Sequence, residues 1–173
     1  ERAEYYSAAG EKAKAKEYFL KVLEMKMSDE QKVKTYSSYA VFLTDEKDYA
    51  TSAEYYYMAA EAKKQTEGEQ EAYFQLVYKA AVRMYLGKEY EKSLGYYKKV
   101  IAFYEQHDSD AAQGNLAQCH KGMGNVLSAM KDYAAAKDEY KLILDYYVKE
   151  QPQSEEHAAA LVRLATAEKC NKD

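Results

Sequence analysis

A small residue followed one helical turn later by an aromatic ring recurs along this chain, as Ala15 with Phe19, Ser52 with Tyr56, Ser93 with Tyr97 and Ala136 with Tyr140. An apolar residue follows each ring three positions on, at Val22, Ala59, Val100 and Ile143, so each motif reads as one face of a helix. Upstream of each stands a second pattern with its own small residue: Tyr36, Tyr39, Ala40 and Leu43; Val77, Ala80, Ala81 and Met84; His120, Met123, Gly124 and Leu127. A partial copy, Ala3 and Tyr6, opens the chain. Two antiparallel helices approach closely only where one presents Ala, Ser or Gly, and a ring one turn later fills the space beside it. Helical hairpins repeated in this way stack into an array, each burying the face of its neighbour.

Matching punctuation supports the register, because Lys47-Asp48-Tyr49, Lys88-Glu89-Tyr90 and Lys131-Asp132-Tyr133 each precede a second helix. One proline and seven glycines argue against sheets and long loops. The spacing predicts helices over 2–9, 12–26, 30–45, 48–64, 69–86, 89–106, 111–130, 133–149 and 154–170. Between them, Ser28-Asp29, Gln65-Thr66-Glu67-Gly68, His107-Asp108-Ser109-Asp110 and Gln151-Pro152-Gln153-Ser154 supply turn formers or N-cap residues. None reads as a domain boundary. At 173 residues, 47% of them hydrophobic, the chain is long enough to bury one continuous core.

The pattern resembles the tetratricopeptide (TPR) repeat over nearly all of the chain. The family places Trp, Leu-Gly and Tyr on the first helix and Ala with an aromatic on the second, and here the match is in residue type more than in letter. Trp is absent; Gly124 alone keeps the family glycine, Ala3, Ala40 and Ala81 stand in for it, and Ser52 and Ser93 replace the alanine. The resemblance implies an all-α fold, a right-handed α-α superhelical solenoid of about four hairpins with a C-terminal capping helix. The repeats then fall roughly at 1–27, 29–66, 69–107 and 111–150 and the cap at 154–170, in a single domain over 1–173. Ala15, Ser52, Ser93 and Ala136 are separated by 37, 41 and 43 residues, against about 34 in the standard repeat. Longer helices are therefore expected, and Ile101-Ala102-Phe103-Tyr104 and Leu144-Asp145-Tyr146-Tyr147 extend the apolar face past the usual end.

In this family the first helices line a concave groove. The resemblance thus nominates Tyr78, Val82 and Tyr85 in the third repeat, Lys34, Ser37, Ser38 and Val41 in the second, and Lys121, Asn125 and Ser128 in the fourth. Tyr78, Val82 and Tyr85 share one helical face as an apolar strip. Lys121 and Asn125, four apart, resemble part of the family's clamp for a C-terminal carboxylate. Arg163 stands where the next Asn is expected, which breaks the full clamp and leaves Lys121, Asn125 and Arg163 as a set suited to an anionic group. The implied function is a module that binds a protein or peptide segment, as the sensing or regulatory part of a larger signalling protein. An assembly scaffold or cochaperone-like adaptor is the alternative. Because the chain opens inside a first helix, an upstream part and fused regulatory domains outside these residues are expected.

Other classes are disfavoured. A net charge of −4 lacks the basic stripe that phosphate neutralisation needs, and Lys12, Lys14 and Lys16, interleaved with Glu11 and Glu17, read as a solvated helix face. No apolar run approaches the roughly 20 residues that span a bilayer, so no membrane insertion by this segment is expected. Cys119 and His120 are adjacent and point about 100° apart on a helix, which suits packing and not a metal pair. His107-Asp108-Ser109-Asp110 has the residue types of a hydrolase triad inside one short linker, where a turn and N-cap are the better reading. Gly122 and Gly124 lie in a helix and serve packing rather than phosphate binding. The reading is thus no enzyme and no cofactor. Two cysteines form no disulfide framework and suit a reducing compartment, which favours the cytoplasm; a signal lost upstream would make the chain an extracytoplasmic sensor domain. Of the twenty tyrosines, Tyr18, Tyr55, Tyr56, Tyr96, Tyr97, Tyr133 and Tyr140 fall in the packing register.

Overall fold

The computed structural model describes residues 2–107 and 109–172, and these hold nine helices and no strand. They are α1 (Arg2–Ala8), α2 (Lys12–Leu23), α3 (Asp29–Asp45), α4 (Tyr49–Glu67), α5 (Glu71–Leu86), α6 (Tyr90–Tyr104), α7 (Asp110–Ala129), α8 (Tyr133–Glu150) and α9 (Glu155–Cys170). Each matches one expected helix, with two ends displaced by three residues and the others by two at most. α2 stops at Leu23 rather than residue 26, because Ser28 adopts the extended backbone of an N-cap and closes a reciprocal capping box with Gln31. α4 runs on to Glu67 rather than residue 64, held by a Lys63–Glu67 pair, and stops only at Gly68, whose φ of 75° no helix continues.

The turns between first and second helices share one backbone device. Gly10, Lys47, Lys88 and Lys131 all have φ between 62° and 76°. At Lys47 the amide reaches the Thr44 carbonyl and the next amide, of Asp48, reaches Leu43; Gly10 and Lys131 repeat the pairing with Ser7 and Tyr6, and with Ser128 and Leu127. This is the Schellman closure of a helix, with lysine in the left-handed position that glycine usually takes. Asp48 and Asp132 then cap α4 and α8 by accepting from the amides of Thr51 and Ala135.

Contacts gather into two compact units, one ending at Gly87 and the other starting at Lys88. In the first, α1 packs on α2, α3 on α4 and α4 on α5. Its N-terminal core joins Phe19, Tyr39, Phe42 and Leu43, with the Phe19 and Tyr39 rings 5.0 Å apart and Tyr55 meeting Tyr39 edge-on at 4.7 Å. Ala15 and Ala40 are fully buried. So is Ser52, whose hydroxyl donates to the Ala40 carbonyl at 2.6 Å and lies 2.8 Å from Thr44 Oγ1. A hydroxyl therefore replaces a methyl at this close approach without stranding a polar atom.

In the second unit α6 packs on α7, α7 on α8 and α8 on α9. Ala136, Tyr140, Ile143 and Tyr147 of α8 form the core with Ala117 of α7 and with Ala160 and Ala167 of α9. Two of the three glycines of α7 sit under rings: a β-carbon on Gly122 would overlap Tyr97, and one on Gly124 would overlap Tyr140. Their role is close packing, as the sequence implied. Tyr56, Tyr97 and Tyr140 are buried, while Tyr18, Tyr55, Tyr96 and Tyr133 are half-buried with their rings in the packing register.

Candidate functional site

In the first unit, α1, α2, the α2–α3 turn and α3 border an open cavity of about 480 Å³. α3 brings Lys34 and Ser38 of the nominated face to it together with Thr35, while Ser37 and Val41 lie outside the lining, Val41 50% exposed. Phe19 and Val22 of α2 and Met25 and Met27 of the turn supply an apolar wall. Arg2 and Lys26 add two cations to Lys34. Ser38 donates to Glu4 at 2.7 Å, and this bond, helped by the charge of Lys34, holds the Glu4 carboxyl below its usual range. On α5, Tyr78, Val82 and Tyr85 are half-buried along one face. The neighbouring stripe carries Arg83, which lies over the Tyr56 ring at 5.4 Å and donates to Thr44 at 3.2 Å.

In the second unit, Lys121 and Arg163 come together in a concavity of about 210 Å³ with Tyr147, Glu155 and Glu156. Burial pushes the Lys121 ammonium below its ordinary range, the charge of Arg163 adds to the shift, and Glu156 opposes it. Asn125 is turned elsewhere: its carbonyl accepts from the Tyr140 hydroxyl at 3.0 Å, and Ser128 lies 3.3 Å from the same hydroxyl. Two of the three nominated polar groups therefore line one small site, and the third braces α7 against α8.

No family model matches the chain, and comparison with curated proteins gives no match. Solved structures do match. The crystal structure of BtubC (BKLC) from P. vanneervenii aligns over 99% of this chain and 70% of its own, at 17% identity and a TM-score of 0.74. A kinesin light chain-type structure from Podosopora anserina, with nearly identical TPR-like repeats, aligns over 98% of this chain and 83% of its own, at 14% identity and a TM-score of 0.65. The fold is a TPR-like helical repeat.

On that TPR-like scaffold the chemistry-bearing residues are packed into structure. Cys119 is 1% exposed, and burial pushes its thiol up to about 12, away from thiolate chemistry. His120 pairs with Glu139 of α8 at 2.7 Å, and His107 bonds the Phe103 carbonyl at 2.8 Å. Ser109 caps α7 by accepting from the Ala112 amide, while Asp108 lies outside the described residues. Among the described residues no cluster of His, Cys, Asp and Glu suits a metal ion, and no helix is long and apolar enough to cross a membrane. Sequence reasoning missed Met25, Lys26 and Met27 as cavity residues. They sit in a turn, where helical periodicity gives no guide to direction.

Proposed function

We propose that the chain is a non-catalytic protein-interaction module that holds a segment of a partner protein on the first-helix faces of its TPR-like repeats. The observation that carries this reading is the α1–α3 cavity. Three cations from three elements, Arg2, Lys26 and Lys34, outnumber the one carboxylate of the described lining, Glu4, and border a wall of Phe19, Val22, Met25 and Met27. That combination suits a bulky apolar side chain with a carboxylate beside it, since the ring or alkyl group is desolvated while the charge meets ammonium and guanidinium donors. Val41 of α3 and Tyr78, Val82 and Tyr85 of α5 complete the proposed contact set in this unit, and Lys121 and Arg163 form that of the other, where Asn125 braces α7 against α8. The setting we propose for such a module is the sensing or regulatory part of a larger signalling protein, with an assembly scaffold or cochaperone-like adaptor as the alternative.

Screening the chain against an array of peptides that place Asp or Glu next to a bulky apolar residue tests this directly. Bound sequences should be enriched in that pairing, and Lys34→Glu should weaken the best binder at least about fivefold, roughly 1 kcal/mol. The loss should shrink at high salt. Equal binding by wild type and Lys34→Glu would remove the cavity from the function.

A further inference from the structure

Ser38 of α3 lies on the first-helix face proposed to meet a partner, and its hydroxyl is already in use. It donates to the Glu4 carboxylate of α1 at 2.7 Å, at the cavity that Arg2, Lys26 and Lys34 border. Glu4 carries the one carboxylate among the described residues of that lining, and Lys34 stands one turn before Ser38 on the same face of α3. The Ser38 bond is the largest of the influences that hold the Glu4 carboxyl below its usual range, and the charge of Lys34 adds to it. Glu4 is therefore ionised at neutral pH, and its charge is directed at the groups that a partner's carboxylate would need.

Packing places α1 for this role. Ala3 lies in the core with Phe19, Tyr39 and Phe42, and Tyr6 stacks on Tyr18 of α2 at 5.3 Å. The Glu4 carboxylate is thus tethered beside Ser38 and acts at high effective concentration. We infer that Glu4 is an internal competitor, a carboxylate of the chain itself that occupies the Ser38 hydroxyl and offsets the charge of Lys34 until a partner's Asp or Glu displaces it. This inference rests on the cavity being the partner site proposed above. Displacement exchanges one charge-assisted hydrogen bond for another, so Glu4 sets a threshold and does not close the site. The threshold is modest, because solvent weakens exposed charge pairs. Its effect is selection: a carboxylate alone finds its place taken, and a segment that also brings a bulky apolar group for the Phe19, Val22, Met25 and Met27 wall gains enough to displace Glu4.

Fluorescence-anisotropy titration of wild type, Glu4→Gln and Glu4→Ala with labelled peptides that pair Asp or Glu with a bulky apolar residue tests the inference. Glu4→Gln keeps an oxygen able to accept from Ser38 and removes the charge, and it should bind these peptides at least about threefold tighter than wild type. Glu4→Ala, which also frees the hydroxyl, should bind at least as tightly as Glu4→Gln. Both gains should shrink at high salt. The same peptides with Asn or Gln in place of Asp or Glu should gain less. Glu4 is exposed, so circular dichroism melts should show both variants folded. Wild-type binding with Glu4→Gln no tighter, or an equal gain for acidic and neutral peptides, overturns the internal competitor and leaves the cavity as a partner site. Binding of none of the peptides by wild type or by either variant overturns the cavity reading itself, and this inference with it.

Discussion

At the scale of single residues, the fold depends on positions where nothing larger fits. Ala15, Ser52, Ser93 and Ala136 are fully buried, as their spacing implied, because each stands where a neighbouring helix comes closest. Gly124 is a further such position, with the Tyr140 ring in the space a β-carbon would take. Gly124→Leu should lower stability by about 1–3 kcal/mol through overpacking. A thermal melt with unchanged midpoint would show that the ring has room to yield. The small-and-aromatic pattern was readable because it is a property of one helix face. The partner of Asn125 was not, since its bond to Tyr140 joins two helices and periodicity along one says nothing of the side chain opposite.

At the scale of elements, the nine helices were legible from apolar periodicity and caps, and the turns only in part. The recurring lysine with Asp or Glu and then Tyr announced a boundary, but the left-handed backbone at Lys47, Lys88 and Lys131 is written nowhere in the letters, since lysine has no preference for it. That conformation costs an L-residue roughly 1–2 kcal/mol, and glycine gives back part of the gain through its larger freedom in the unfolded chain. Lys131→Gly should therefore stabilise the α7–α8 hairpin by about 0.5–1 kcal/mol. Urea melts read this shift. A loss of stability would mean that the lysine side chain contributes more at this turn than its backbone strain removes.

At the scale of the whole molecule, the same repeated close approach gives a TPR-like fold at 17% identity to a matched structure. Function is less constrained by that pattern. Its candidate residues sit where packing leaves side chains outward, and the α1–α3 cavity draws half its apolar wall from a turn that no helical pattern describes. The proposal that this cavity holds a partner segment is tested most directly by mapping where a bound peptide lands. Titrating the isotope-labelled chain with the tightest acidic-apolar peptide should shift the backbone amide signals of Lys34, Thr35 and Ser38 and the methyl signals of Met25 and Met27. Shifts confined to residues outside α1, α2 and α3, with these signals unmoved at saturation, would contradict the account.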